Sequence, residues 1–198
     1  MPSSLILPRA ILFDMDGTLT EPLLDFPRIK AEMGIGDRPI LESLAQMQPD
    51  QRTLAQGVLE QHENEAALRS TLNKGCRELL DWLAAKQVKT ALITRNSRRS
   101  TRTVLNLHGL EISVRITRDD GPSKPDPTPL HLACQQLATA PADAWMVGDG
   151  HFDIEAGLAA GIRTVWISHG RERTFAAEPW RQVVDLPGLL DMLESAHG

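Results

Sequence analysis

The sequence predicts an α/β fold: a Rossmann-like, doubly wound parallel sheet with a small all-helical segment inserted after its first strand. Three observations carry this. Short apolar runs alternate with helix-length segments, which argues for a parallel sheet covered on both faces. Acidic, hydroxyl and glycine residues follow those runs directly. Residues 21–73 break the rhythm, having no strand-like run.

Ala10-Ile11-Leu12-Phe13 is the first run, and it stops abruptly at Asp14. It reads as a buried strand ending at a functional loop. Further runs are Lys89 to Ile93, Ala144 to Val147 and Arg163 to Ile167, with a weaker one at Ile112 to Ile116. Between them the spacing predicts helices over about 75–86, 97–108, 127–137 and 154–160, closing with 186–195. The 21–73 stretch is rich in Leu, Ala, Gln and Glu at helical spacing and predicts helices over 26–33, 39–47 and 51–72. Gly34-Ile35-Gly36-Asp37 and Pro49-Asp50 punctuate them, the latter as a helix start. The expected organisation is therefore a core of residues 1–20 and 74–198, with 21–73 as a helical cap hinged over the sheet edge.

Composition narrows the function classes. The 198 residues are 41% apolar and 24% charged, enough for a packed core. A net charge of −5 offers no basic face for a nucleic acid backbone. No run reaches the roughly 18 apolar residues needed to span a bilayer, and Met1 to Pro8 lacks the pattern of a secretory signal, so a cytoplasmic protein without membrane or nucleic acid partners is expected. Cys76 and Cys134 lie far apart without metal-ligand spacing and read as buried, reduced thiols. Trp82, Trp145 and Trp166 read as packing residues, and Arg98, Arg99 and Arg102 as a solvated helix face.

In an open parallel sheet, ligands bind beyond the carboxyl ends of the strands. The residues at those positions are Asp14 and Asp16, Thr94-Arg95-Asn96, and Gly148-Asp149-Gly150-His151-Phe152-Asp153, with Lys124 in a loop beyond the weak strand. Four converging carboxylates repel by about 4 kcal/mol per close pair at an effective dielectric near 20. Lys124 and one divalent cation would nearly balance them, and an all-oxygen set selects a hard ion such as Mg²⁺. Such an ion retains room for a phosphate oxygen.

Each element alone is weak. Asp-x-Asp-Gly-Thr also fits a turn or part of a calcium loop, Thr commonly ends strands, and a lone lysine is usually solvated. His151 reads as a solvent-facing or packing residue, and Arg95 is open between a substrate contact and a cover over the sheet edge.

Together and in this order, the segments Asp14-Met15-Asp16-Gly17-Thr18, Thr94-Arg95-Asn96, Lys124 and Gly148 to Asp153 resemble the four motifs of the haloacid dehalogenase superfamily. The resemblance implies an Mg²⁺-dependent phosphatase in which Asp14 is the nucleophile and Asp16 the general acid and base. It further implies that Thr94, with Arg95 and Asn96 nearby, binds the phosphoryl group and that Lys124 neutralises it. The metal would be held by Asp14, Asp149 and the backbone carbonyl of Asp16, with Asp153 orienting metal-bound water or Lys124. The position of the insert matches the helical cap of the phosphoglycolate phosphatase-like branch, which makes a small phosphorylated metabolite the expected partner and a monomer or weak homodimer the expected state. Leu23, Leu24, Asp25, Phe26 and Arg28 are the expected substrate-facing set. A dehalogenase would not need Asp16 with Gly17-Thr18. A phosphomutase would use the same residues, and a non-enzymatic phosphometabolite-binding module would be free to lose them.

Overall fold

The computed structural model describes residues 6–195; residues 1–5 and 196–198 of the predicted core segment lie outside the described residues. Six parallel strands form one sheet: β1 (Ala10–Phe13), β2 (Lys89–Ile93), β3 (Val114–Ile116), β4 (Ala144–Gly148), β5 (Arg163–Ile167) and β6 (Arg181–Val183), in the spatial order β3-β2-β1-β4-β5-β6. The chain winds outward from β1 to β3, then returns to lay β4 on the other side of β1. The winding direction therefore reverses between β1 and β4, the position at which open α/β sheets leave a crevice.

Alternation along the strands explains why both faces need cover. In β1, Ile11 and Phe13 point into one apolar cluster with Trp145, Leu79, Leu83, Val104 and Leu189. Ala10 and Leu12 point into the other with Ile93, Leu130, Ala133, Met146 and Ala156. Helices α4 (Cys76–Ala85), α5 (Arg98–His108) and α8 (Leu186–Ser195) supply the first face, and α6 (Thr128–Gln136) and α7 (His151–Ala159) the second. Burying each of the larger aliphatic and phenyl side chains among these contributes about 1.5–3 kcal/mol. Helix α5 shows why the local sequence obeys: Ser97 caps it by accepting from the Ser100 amide, and Gly109 closes it in the left-handed conformation.

The predicted insert is all-helical. Helices α1 (Phe26–Met33), α2 (Ile40–Gln46) and α3 (Pro49–Leu68) pack around a separate, smaller cluster of Ile29, Ile35, Ile40, Leu44, Ala55 and Leu59. Its two connections run side by side. Thr20 bridges Leu72 antiparallel, the Glu21 amide donates to the Thr71 carbonyl, and the Asn73 amide donates to the Leu19 carbonyl.

The structure differs from the sequence reading in three places. Helix α3 ends at Leu68 rather than residue 72, because residues 71–73 are used in that two-stranded connection. Helix α7 begins at His151 rather than 154, since Asp153 folds back to accept the Gly150 amide at 3.0 Å and caps the first turn. Strand β6 went unpredicted; its three residues are largely exposed, with no apolar run to announce them. No helix among the described residues is long and apolar enough to cross a membrane.

Candidate active site

Asp14 is the first residue beyond β1, and its amide donates to the Val147 carbonyl of β4 at 2.9 Å, which fixes it at the crevice. Lys124 arrives from the loop beyond β3 and is 2% exposed. Its ammonium donates at 2.6 Å to Asp14 Oδ1, to Asp153 Oδ1 and to the Ile93 carbonyl, so all three protons are used. Burial works against this charge, but Asp14 and Asp153 outweigh it and hold the lysine above its ordinary pKa. Burial also pushes the Asp14 carboxyl well above its usual range, with Asp153 and Asp149 adding to the rise against the pull of Lys124.

Asp16 lies apart from that cluster. Its Oδ2 accepts from Asn96 Nδ2 at 2.6 Å, and burial lifts its carboxyl to about 6 despite the amide. Asn96 is itself held by its own amide, which donates to Thr94 Oγ1 at 3.1 Å. The predicted segment Thr94-Asn96 thus does meet the Asp14–Asp16 loop.

Carboxylate oxygens of Asp14, Asp149 and Asp153 lie within 4.8 Å of one another. Lys124 occupies Oδ1 of Asp14 and of Asp153, and the Gly150 amide donates to Asp153 Oδ2, which leaves Asp14 Oδ2 for another cation. Three carboxylates against the Lys124 ammonium and the Arg171 guanidinium leave one negative charge, and the donors are all hard oxygens, so the residues present fit a divalent ion such as Mg²⁺. The glycines make this crowding possible. A Cβ on Gly17, whose φ is +79°, would meet the Asp149 carboxylate at 2.4 Å, and one on Gly148 would meet the Asp153 carboxylate at 2.2 Å. The sequence reading gives Asp153 an outer role at the metal, and gives Asp16 a backbone contact to the metal beside its side-chain role as general acid and base. In the structure the Asp153 carboxylate stands with those of Asp14 and Asp149, while the Asp16 side chain turns toward Asn96.

These groups open into a cavity of about 660 Å³, walled on one side by Leu24, Phe26, Ile40, Leu41 and Leu59 of the insert and on the other by Arg95, Gly150 to Asp153 and Arg171. Of the expected substrate-facing residues, Leu24 and Phe26 line it. Asp25 instead caps α1 by accepting the Arg28 amide, and Arg28 pairs with Glu32 in the solvent. Leu23 is surface-exposed. His151 is exposed at the rim.

Arg95 resolves its two open readings in an unexpected way. Its Nη2 reaches both oxygens of Glu42 on α2 at 3.0 and 3.1 Å, its Nη1 donates to the Lys124 carbonyl, and its guanidinium stacks 4.1 Å from the Phe152 ring centroid. It is a tie between insert and core. Glu63 on α3 makes a second tie, pairing with Arg118 while accepting the Ser97 amide at 3.2 Å.

Two further residues, Arg171 and His169, escaped the sequence reading, and Trp166, read there as a packing residue, also makes a polar contact at the site. Arg171 donates to Asp149 Oδ2 at 3.0 Å, Trp166 Nε1 donates to the Asp149 carbonyl at 3.0 Å, and His169 Nε2 lies 2.6 Å from the Gly17 carbonyl. All follow or end β5. The strand-end rule that found the other residues, applied to the run at Arg163 to Ile167, would have pointed there.

Residues 23–167 match the model of the haloacid dehalogenase-like hydrolases. The span holds Thr94, Lys124, Asp149 and Asp153; Asp14 and Asp16 precede it. The chain is 33% identical over 186 residues to an N-acetylmuramic acid 6-phosphate phosphatase of Pseudomonas putida, covering 82% of this chain and 83% of that protein. It is 29% identical to a phosphoglycolate phosphatase of Pseudomonas savastanoi pv. phaseolicola, covering 94% and 81%. In fold it is similar to the crystal structure of a hydrolase from Pseudomonas syringae, with a TM-score of 0.80, 21% identity, and 93% and 97% of the two chains covered.

Proposed function

The chain belongs to the haloacid dehalogenase-like hydrolases and is a phosphatase of that family, and we propose that it hydrolyses a small-molecule phosphate monoester with Mg²⁺ through an aspartyl-phosphate on Asp14. One observation carries this reading: the buried Lys124 ammonium bonded at 2.6 Å to both Asp14 and Asp153. A carboxylate attacks a phosphate dianion only where the repulsion between them is suppressed, and this is a fixed cation aimed at the place of attack.

The Asp14 carboxylate attacks phosphorus as the ester P–O bond breaks. Asp16 gives its proton to the leaving oxygen; a carboxyl lifted to about 6 is a usable acid near neutrality. Lys124 and the Thr94 hydroxyl face the transferring oxygens. In the second half Asp16, now a carboxylate, takes a proton from water, whose oxygen attacks phosphorus and frees Asp14 and phosphate. Mg²⁺, held by Asp14, Asp149 and the Asp16 carbonyl and supported by Asp153, would supply Lewis-acid neutralisation of the phosphoryl charge. Residues 21–73 serve as a cap domain over a core of 1–20 and 74–198, closing water out of the cavity.

The test is phosphate release from an aryl phosphate ester with Mg²⁺. The parent is expected to be active, Asp14→Asn to lose at least about a thousandfold, and chelation to abolish turnover reversibly. Full activity in Asp14→Asn would exclude the nucleophile assignment.

A further inference from the structure

The wall that the insert contributes to the cavity is apolar, built from Leu24, Phe26, Ile40, Leu41 and Leu59. Phe26 is 49% exposed although it is a large apolar side chain beside a charged site. Two cations reach this wall, and each is already engaged. Arg95 is held by Glu42 through both carboxylate oxygens, and Lys30 donates to the Asp37 carbonyl at 3.1 Å, with Asp37 beside it on the lining. Over the whole lining six aspartate and glutamate side chains face four lysine and arginine side chains.

A leaving group carrying a second anion would enter an apolar region whose two cations already have hydrogen-bond partners. To find a partner it would have to take Arg95 from a two-oxygen pair, at the cost of leaving Glu42 unpaired, or draw Lys30 from the Asp37 carbonyl. An uncharged leaving group with an apolar face meets neither cost and covers Phe26 and Leu24.

We propose that the site selects phosphate monoesters with an uncharged, partly apolar leaving group, and that Glu42 enforces this by holding Arg95 away from the substrate. The inference rests on the phosphatase reading and deepens it. Phe26 is the specificity contact, and Glu42 acts through Arg95 as a positioning residue.

The experiment compares kcat/KM with Mg²⁺ for 2-phenylethyl phosphate and 2-phosphoglycolate, both esters of primary alcohols that differ at the far end. The parent is expected to prefer 2-phenylethyl phosphate by about tenfold or more. Glu42→Gln should narrow that preference by about fivefold, through a lower KM for 2-phosphoglycolate. Phe26→Ala should narrow it through a higher KM for 2-phenylethyl phosphate with kcat retained. A parent that prefers 2-phosphoglycolate, or a ratio unmoved by both variants, overturns the specificity while Asp14-dependent turnover keeps the phosphatase reading intact. No turnover of either ester overturns the specificity alone if the aryl phosphate ester is still hydrolysed, and overturns both readings if it is not.

Discussion

The core and the insert solve different physical problems with the same kind of helix. In the core, two large apolar clusters clamp a six-stranded sheet, and the chemical residues sit on short loops at its edge. The insert has a cluster of six buried residues, two strand-like connections, and two ion pairs to the core, Glu42–Arg95 and Glu63–Arg118. Position is thus fixed where packing is deep, and selection is left to a segment with little packing of its own. Regions with few buried apolar contacts open at lower free energy than the global fold, which suits the cap role proposed for this segment.

The largest expected effect lies in the core. Lys124→Met removes the partner of two buried carboxylates, so both activity and stability should fall, the first by at least about a thousandfold and the second by about 3 kcal/mol. Phosphate release and denaturant titration measure them. A variant of full stability would show that Asp14 and Asp153 do not depend on this cation.

Arg118→Met probes the junction. It leaves Glu63, 2% exposed at the side chain, without its cation, and should cost about 3 kcal/mol. Glu42→Gln, at a pair whose glutamate is 43% exposed, should cost under about 1 kcal/mol. Equal costs would erase the distinction between the two ties. The pH dependence has a definite sign. Burial raises the Glu63 carboxyl above its ordinary 4.5 despite Arg118, so the folded chain binds that proton more tightly than the unfolded chain. The group's contribution to stability therefore falls as pH rises from 4.5 through the raised value. Thermal melts across that range should show this slope in the parent and lose it in Glu63→Gln.

The smallest effect is a reporter. Both thiols are in the core, and burial pushes Cys76 up to about 12. Neither should react with an alkylating reagent in the native state, and both should label at the rate of core opening. Rapid native labelling of Cys76 would contradict the depth assigned to the core.

Much of this was legible in the sequence because it is written in local pattern. Ala10 to Phe13 ends at Asp14 for a physical reason, the end of a buried strand at a ligand crevice, and the same logic located Thr94 and Asp149. The Lys124 loop was placed beyond a weak strand, and Val114–Ile116 is that strand. What could not be read are relations set only by the packing of distant segments. Glu42 meets Arg95 across 53 residues and Glu63 meets Arg118 across 55, and neither acid differs in sequence from a solvated glutamate. Arg28 shows the converse. It lay near the first motif and looked available, but an i,i+4 partner at Glu32 takes it.

The central claim, that a carboxylate fixed by the core's packing attacks phosphorus, is tested most directly by trapping. The parent with Mg²⁺ and a ³²P-labelled phosphate ester is quenched in acid during turnover, reduced with borohydride, and mapped. The account predicts label in the acid-quenched peptide carrying Asp14 and conversion of that residue to homoserine. Label on another residue, or unlabelled protein from an enzyme in full turnover under conditions where formation outpaces hydrolysis, would contradict it.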